Sequence, residues 1–145
     1  IHIVEDAKAA ARLAKQMSGN IFLTTGSKEL AVFVETISDF SRLYARVLST
    51  EEPFEICREL GFEGKQLICM QGPFSKELNV AMLKKYGSKF MVTKDSGAVG
   101  GFDEKVEAAA AAGAKLIVIG RAQEETGAGY SEIVDYLKQH FAAGN

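Results

Sequence analysis

Five short apolar segments alternate with helix-period segments along 145 residues, which predicts a doubly wound α/β fold with a mostly parallel sheet. Segments such as Leu67-Ile68-Cys69-Met70 and Leu116-Ile117-Val118-Ile119 are apolar at consecutive positions. A sheet covered by helices on both faces requires that pattern. Four of the five loops that follow these segments are rich in Gly, hydroxyl or charged residues. In such folds ligands lie beyond the carboxyl ends of the strands, where the strand order reverses.

Taken in order, residues 5–17 carry Ala9, Ala10, Leu13, Ala14 and Met17 at helical spacing, with Gly19-Asn20 as the stop. Residues 21–24 read as the first strand and residues 27–36 as the helix after it. The second strand spans residues 43–48. Pro53 then sits in the first turn of a helix that Gly61 ends. Residues 66–70 form the third strand, Ser75 is an N-cap, and a helix covers residues 77–86. The fourth strand is 90–93. Asp103 is placed to cap an Ala-rich helix over 104–112 that Gly113 stops. The fifth strand is 116–119, and a last helix over 130–141 packs through Ile133, Val134 and Leu137. The alanine run 108–112 reads as a close-packing helix face.

Length and composition fit one domain, residues 1–145, with 47% hydrophobic and 25% charged residues. No apolar run approaches the ~20 residues of a membrane helix. A formal net charge of −2 gives no electrostatic ground for a nucleic-acid partner. Cys57 and Cys69 lack neighbours at metal-ligand spacing and read as buried, reduced thiols, so the expected compartment is the cytoplasm and no metal is expected. His2 and His140 read as surface residues. The chain opens on Ile1 rather than Met, as a processed product or a piece of a longer protein would.

The strand-end loops hold the candidate chemistry. Thr24-Thr25-Gly26-Ser27 leads into a helix, where backbone N–H groups favour an anion and Gly lets a phosphate approach. It lacks the G-x-G-x-x-G spacing, and a plain turn capped by Ser27 or Thr25 fits it as well. Arg46 sits where a dinucleotide fold meets the adenosine ribose, and a basic residue there suits a 2′-phosphate. A surface Arg on an edge strand is the alternative. Gly72-Pro73 sets a sharp turn that projects Phe74 either toward the strand ends or into the core. The richest loop is Thr93-Lys94-Asp95-Ser96-Gly97, with Gly100 and Gly101 behind it. Lys94 offers a cation, and Asp95 a carboxyl that orients or donates a proton. Lys105 lies one turn into the next helix, as an anion partner or a surface residue. Arg121, after the fifth strand, suits bidentate recognition of carboxylate or phosphate.

Four ordered blocks together resemble the C-terminal part of the precorrin-6A (cobalt-precorrin-6A) reductases of cobalamin biosynthesis. The blocks are residues 21–27, Arg46-Val47-Leu48, Gly72-Pro73-Phe74-Ser75 with Glu77 and Asn79, and residues 92–97 with Gly101, Lys105 and Ala108-Ala109. The resemblance implies NADPH-dependent reduction of a tetrapyrrole macrocycle in a cleft between two Rossmann-like domains. This chain would be the C-terminal domain, whose N-terminal partner is missing. It further implies Thr24, Thr25, Gly26, Ser27 and Arg46 at the cofactor. Lys94, Asp95 and Ser96 are implied at the chemistry, and Gly72, Phe74, Gly97, Lys105 and Arg121 at the carboxylate-rich substrate. The reverse assignment of cofactor and substrate loops stays open. Arg121-Ala122 departs from the Arg-Pro expected of the family. A non-catalytic α/β module that binds a phosphate-bearing metabolite or nucleotide is the competing reading, and another nucleotide-using enzyme on this common fold a third.

Overall fold

A computed structural model of the chain describes residues 1–94 and 102–120. The expected last helix, His140, Asp95, Ser96, Gly97, Gly100, Gly101, Arg121 and Ala122 lie outside the described residues.

Eleven regular elements alternate along the described chain. The strands are β1 (His2–Val4), β2 (Asn20–Thr24), β3 (Leu43–Val47), β4 (Leu67–Cys69), β5 (Ser88–Lys94) and β6 (Lys115–Ile119). The helices are α1 (Ala7–Lys15), α2 (Leu30–Thr36), α3 (Glu51–Leu60), α4 (Lys76–Lys85) and α5 (Phe102–Ala112). Strands form one sheet in the order β1-β6-β5-β2-β3-β4, every pair parallel. From β2 the chain winds outward through β3 to β4, then returns to the other side of β2 with β5. The strand order therefore reverses between β2 and β5, with Leu23 opposite Val92 and Thr24 opposite Thr93.

Alternation of side chains along the strands divides the core between the two faces. Ile21, Leu23, Leu43, Ala45 and Val47 face α1, α2 and α3, together with Leu30, Phe33 and Cys57. Phe22, Tyr44, Met91 and Val118 face α4 and α5, together with Met82, Leu83, Val106 and Ala108. Phe22, Phe33 and Phe62 are fully buried, each contributing roughly 1.5–3 kcal/mol of transfer free energy. The small residues Ala10, Ala11 and Ala14 bring α1 close to the sheet, and Ala108 and Ala109 do the same for α5.

Several local expectations hold. Ser75 caps α4 by accepting from the Leu78 amide at 3.1 Å, and Gly61 ends α3 with φ 103°, a left-handed value that suits glycine. Others need correction. The sheet has six strands, not five, because His2–Val4 pairs with β6 along Ile117–Ile119. His2 is therefore a half-buried strand residue. The first helix is shorter than expected, Ala7–Lys15, with Asp6 as its cap at 2.8 Å from the Ala9 amide. Asp103 lies inside the first turn of α5 rather than before it. Residues 27–36 do not form one helix. A 3-10 turn, Ser27–Glu29, precedes α2, and no side chain caps it at Gly26.

Candidate functional site: a cationic cleft at the carboxyl edge of the sheet

Thr24 at the end of β2 and Gly26 after it, Arg46, Val47 and Leu48 at β3, Met70 and Phe74 after β4, and Lys105 on α5 surround one cleft of about 180 Å³. It opens at the carboxyl edge, beside the reversal of strand order, where ligands of doubly wound sheets bind.

Arg46 is the most constrained member. Burial overturns the reading of it as a surface residue on an edge strand: β3 lies between β2 and β4, and Arg46 is only 5% exposed. Its guanidinium carbon stands 3.6 Å from the centroid of the Phe74 ring and 5.2 Å from that of Phe22. Stacking of this kind suits the planar, weakly hydrated guanidinium. One terminal nitrogen donates to Asn79 Oδ1 at 2.7 Å and contacts Met82 Sδ at 3.3 Å. Burial lowers its pKa to about 10.

Lys105 approaches from the other side of the reversal. Its Nζ donates to Thr93 Oγ1 at 2.7 Å, and Thr93 is buried on β5. Burial first, and the charge of Arg46 second, lower its pKa to about 8. Lys105 is thus no surface decoration. Among the described residues no carboxylate pairs with either cation. The two ion pairs found there, Arg58–Glu63 and Lys94–Glu29, lie elsewhere. A buried and a half-buried cation that no carboxylate among the described residues pairs are costly, and an anionic ligand relieves that cost.

The turn after β2 works differently from the sequence expectation. Gly26 adopts φ 92°, and among the described residues nothing stands within 4 Å of where a Cβ would be, which leaves its backbone accessible on that side. Thr24 donates to the Val92 carbonyl at 2.7 Å across the reversal, and Thr25 to the Gly26 carbonyl at 3.2 Å. Ser27 begins the 3-10 turn. Since Glu29 lies in that turn and α2 is short, the anion-attracting element here is the Arg46–Lys105 pair rather than a helix dipole.

Gly72 supports Phe74, since a Cβ there would stand 3.1 Å from the ring. The Gly72–Pro73 peptide is cis. Lys94 ends β5 outside the cleft, exposed, with Nζ 3.3 Å from Glu29 Oε1. The cleft therefore unites residues expected at the cofactor (Thr24, Gly26, Arg46) with ones expected at the substrate (Phe74, Lys105). Asp95, Ser96, Gly97 and Arg121 lie outside the described residues.

Sequence reasoning gave Asn79 no role. A polar residue inside a helix and flanked by Leu78 and Val80 was the available signal, since Asn is a poor helix-interior residue. Asn79 is 1% exposed, and its Nδ2 finds no acceptor among the described residues.

Residues 1–138 match the family model described as "Precorrin-6x reductase CbiJ/CobK". The chain is 47% identical over 131 residues to a cobalt-precorrin-6A reductase of Priestia megaterium, covering 89% of this chain and 51% of that protein. It is 37% identical over 137 residues to one from Methanocaldococcus jannaschii, covering 93% and 52%. A solved structure of "CobK precorrin-6A reductase" superposes with a TM-score of 0.62 at 21% identity, over 97% of this chain and 55% of that one, a likeness of fold. The chain spans about half the length of the curated relatives it matches. A six-stranded parallel sheet, a cationic cleft at its reversal and this match over nearly the whole chain converge: the chain belongs to the precorrin-6x reductase family.

Proposed function

We propose that this chain supplies one half of the active-site cleft of a cytoplasmic NADPH-dependent reductase acting on the precorrin-6A, or cobalt-precorrin-6A, macrocycle in cobalamin biosynthesis. The observation that carries the proposal is the cation pair, Arg46 and Lys105, which no carboxylate among the described residues pairs, at the reversal of strand order in a chain of this family. The other half is a second Rossmann-like domain preceding this one, which accords with relatives about twice as long. No helix among the described residues is long and apolar enough to cross a membrane.

Reduction of a ring double bond needs a hydride and a proton, and the bound nicotinamide supplies the hydride. The protein's part is positioning and charge placement. Gly26 presents open backbone, and Arg46 and Lys105 draw an anionic group to the strand ends. Phe74 lends an apolar ring beside them. Lys94, Asp95 and Ser96 are proposed to face the ring, with Asp95 delivering or orienting the proton. Gly97 and Arg121 are proposed to meet ring carboxylates.

The test is oxidation of NADPH in the presence of the macrocycle by a protein carrying both halves. Asp95→Asn and Lys94→Ala are expected to lower kcat by tenfold or more while the melting temperature barely moves. Wild-type kinetics in both variants contradict the role given to this loop. No NADPH oxidation by the wild type contradicts the reaction.

A further inference from the structure

Lys105 stands in surroundings that make an amine reactive as well as charged. Its side chain is half-buried and lines the cleft, where Nζ donates to Thr93 Oγ1 at 2.7 Å. Thr93 is buried on β5, so this bond fixes the amine by one of its hydrogens. Among the described residues that line the cleft, only Arg46 is charged besides Lys105, and it has the same sign. The acidic residues of α5, Asp103, Glu104 and Glu107, do not line the cleft, nor do Glu77, Lys84 and Lys85 of the neighbouring α4. Lys94 and Glu29 pair with each other. Desolvation beside a like charge turns a lysine into a nucleophile. Here burial first and Arg46 second lower the pKa from 10.5 to about 8. About a tenth of the amine is then free at neutral pH, against about three parts in ten thousand at the unshifted value.

We infer that Lys105 is an acylation site, modified on Nζ by acyl phosphates that Arg46 guides into the cleft. The guanidinium, fixed by Asn79 Oδ1 and the Phe74 ring, offers the phosphate end of such a reagent a charge-assisted partner. The acyl end then meets the amine inside one cleft, which replaces a chance collision by a local encounter. The free amine attacks the acyl carbon and a C–N bond forms. The bond from that carbon to the phosphate oxygen breaks, the oxygen keeps the electron pair, and the leaving phosphate takes the amine proton. Nothing is oxidised or reduced. The amide carries no charge, so acylation removes one of the two cations of the cleft and part of its attraction for anions. The inference goes beyond the proposed reduction and uses no step of it.

The protein carrying both halves is incubated with acetyl phosphate at about pH 7.5, and mass spectrometry of the digested chain reads the acetyl gained at each lysine. The exposed Lys65 and Lys84 serve as internal references. Lys105 is expected to gain acetyl at least about tenfold faster than either. Its rate should level off above about pH 8. Excess inorganic phosphate should slow labelling of Lys105 severalfold and leave the references unchanged. A neutral ester, para-nitrophenyl acetate, should select Lys105 severalfold less than acetyl phosphate does. Arg46→Gln should lower the selectivity for acetyl phosphate about tenfold; if that variant fails to fold, phosphate protection and the neutral ester decide. Labelling of Lys105 no faster than of Lys65 and Lys84 overturns the site. Equal selectivity with the neutral ester, or no protection by phosphate, overturns the guidance by Arg46. NADPH oxidation by the same protein is read separately. Turnover with Lys105 unlabelled refutes the acylation alone, and a labelled Lys105 without turnover refutes the reaction alone.

Discussion

Two arginines only four residues apart, Arg42 and Arg46, are put to opposite uses at the two edges of one sheet. Arg42 precedes β3 at the amino edge and spends its donors on main-chain carbonyls: Nε on Gly19 at 2.6 Å, and a terminal nitrogen on Ala14 at 3.0 Å and Met17 at 2.8 Å. It ties the end of α1 to the entry of β2, as a cation at a helix C-terminus does well. Arg46, near the carboxyl edge, is buried between aromatic rings, and its partners among the described residues are neutral, the Asn79 amide oxygen and the Met82 sulfur. The amino edge has the larger hollows, about 400 and 580 Å³, but the lysines lining them, Lys15, Lys89 and Lys115, are exposed and solvated. The carboxyl edge has a smaller cleft with the buried Arg46 and the half-buried Lys105. What separates the two edges, among the described residues, is cationic charge left unpaired out of water, not volume.

Breaking the amino edge should cost the most stability. Arg42→Ala removes three charge-assisted hydrogen bonds and is expected to lower the unfolding free energy by about 3 kcal/mol in urea denaturation. Anion binding at the carboxyl edge should be untouched. A stability loss well under 1 kcal/mol would remove the contrast.

The opposite sign is expected at the carboxyl edge. Lys105→Met removes a half-buried cation, so it should stabilise while it weakens anion binding. The displacement of the pKa from 10.5 to about 8 bounds the gain at up to about 3 kcal/mol at neutral pH. In the wild type a base whose folded pKa is depressed costs stability fully below about pH 8. Between about pH 8 and 10.5 the unfolded state holds the extra proton, so stability should rise with pH across that window. Arg46, lowered from 12.5 to about 10, extends the rise in the same direction. Unfolding curves from pH 7 to 10 check this, and Lys105→Met should flatten the lower part of the rise. Over the same range a phosphate monoester stays fully ionised, so the affinity of the cleft for one should fall as pH climbs through about 8.

The smallest effect on folding belongs to Lys94. Its contact with Glu29 is an exposed ion pair, so Lys94→Ala should change stability by less than about 1 kcal/mol. A larger loss would show the pair to be a clamp like Arg42.

Much of this was legible in the sequence, for physical reasons. Strands β2, β3, β5 and β6 are apolar on both faces, and helices α3 and α4 carry Gly61 and Ser75 at their ends, so the winding could be read locally. Strand β1 was missed because three residues beginning with His2 carry no periodicity. The residues lining the cleft were largely foreseen as strand-end candidates, but not their grouping. Arg46 meets Asn79, 33 positions away, and Lys105 meets Thr93, 12 away, across two different elements. Such pairings exist only once the sheet has ordered the strands. Burial of a cation is likewise a property of its neighbours, which is why Arg46 read equally well as a surface residue. Arg42 had no signal at all, since its acceptors are carbonyls that every residue has.

A crystal structure of the protein with NADP bound tests the central claim most directly. The account expects the dinucleotide along the carboxyl edge, an anionic group of it within hydrogen-bond reach of both Arg46 and Lys105 and its chain passing Gly26. A dinucleotide seated elsewhere, with Arg46 and Lys105 unliganded or paired to a carboxylate of the protein, would contradict it.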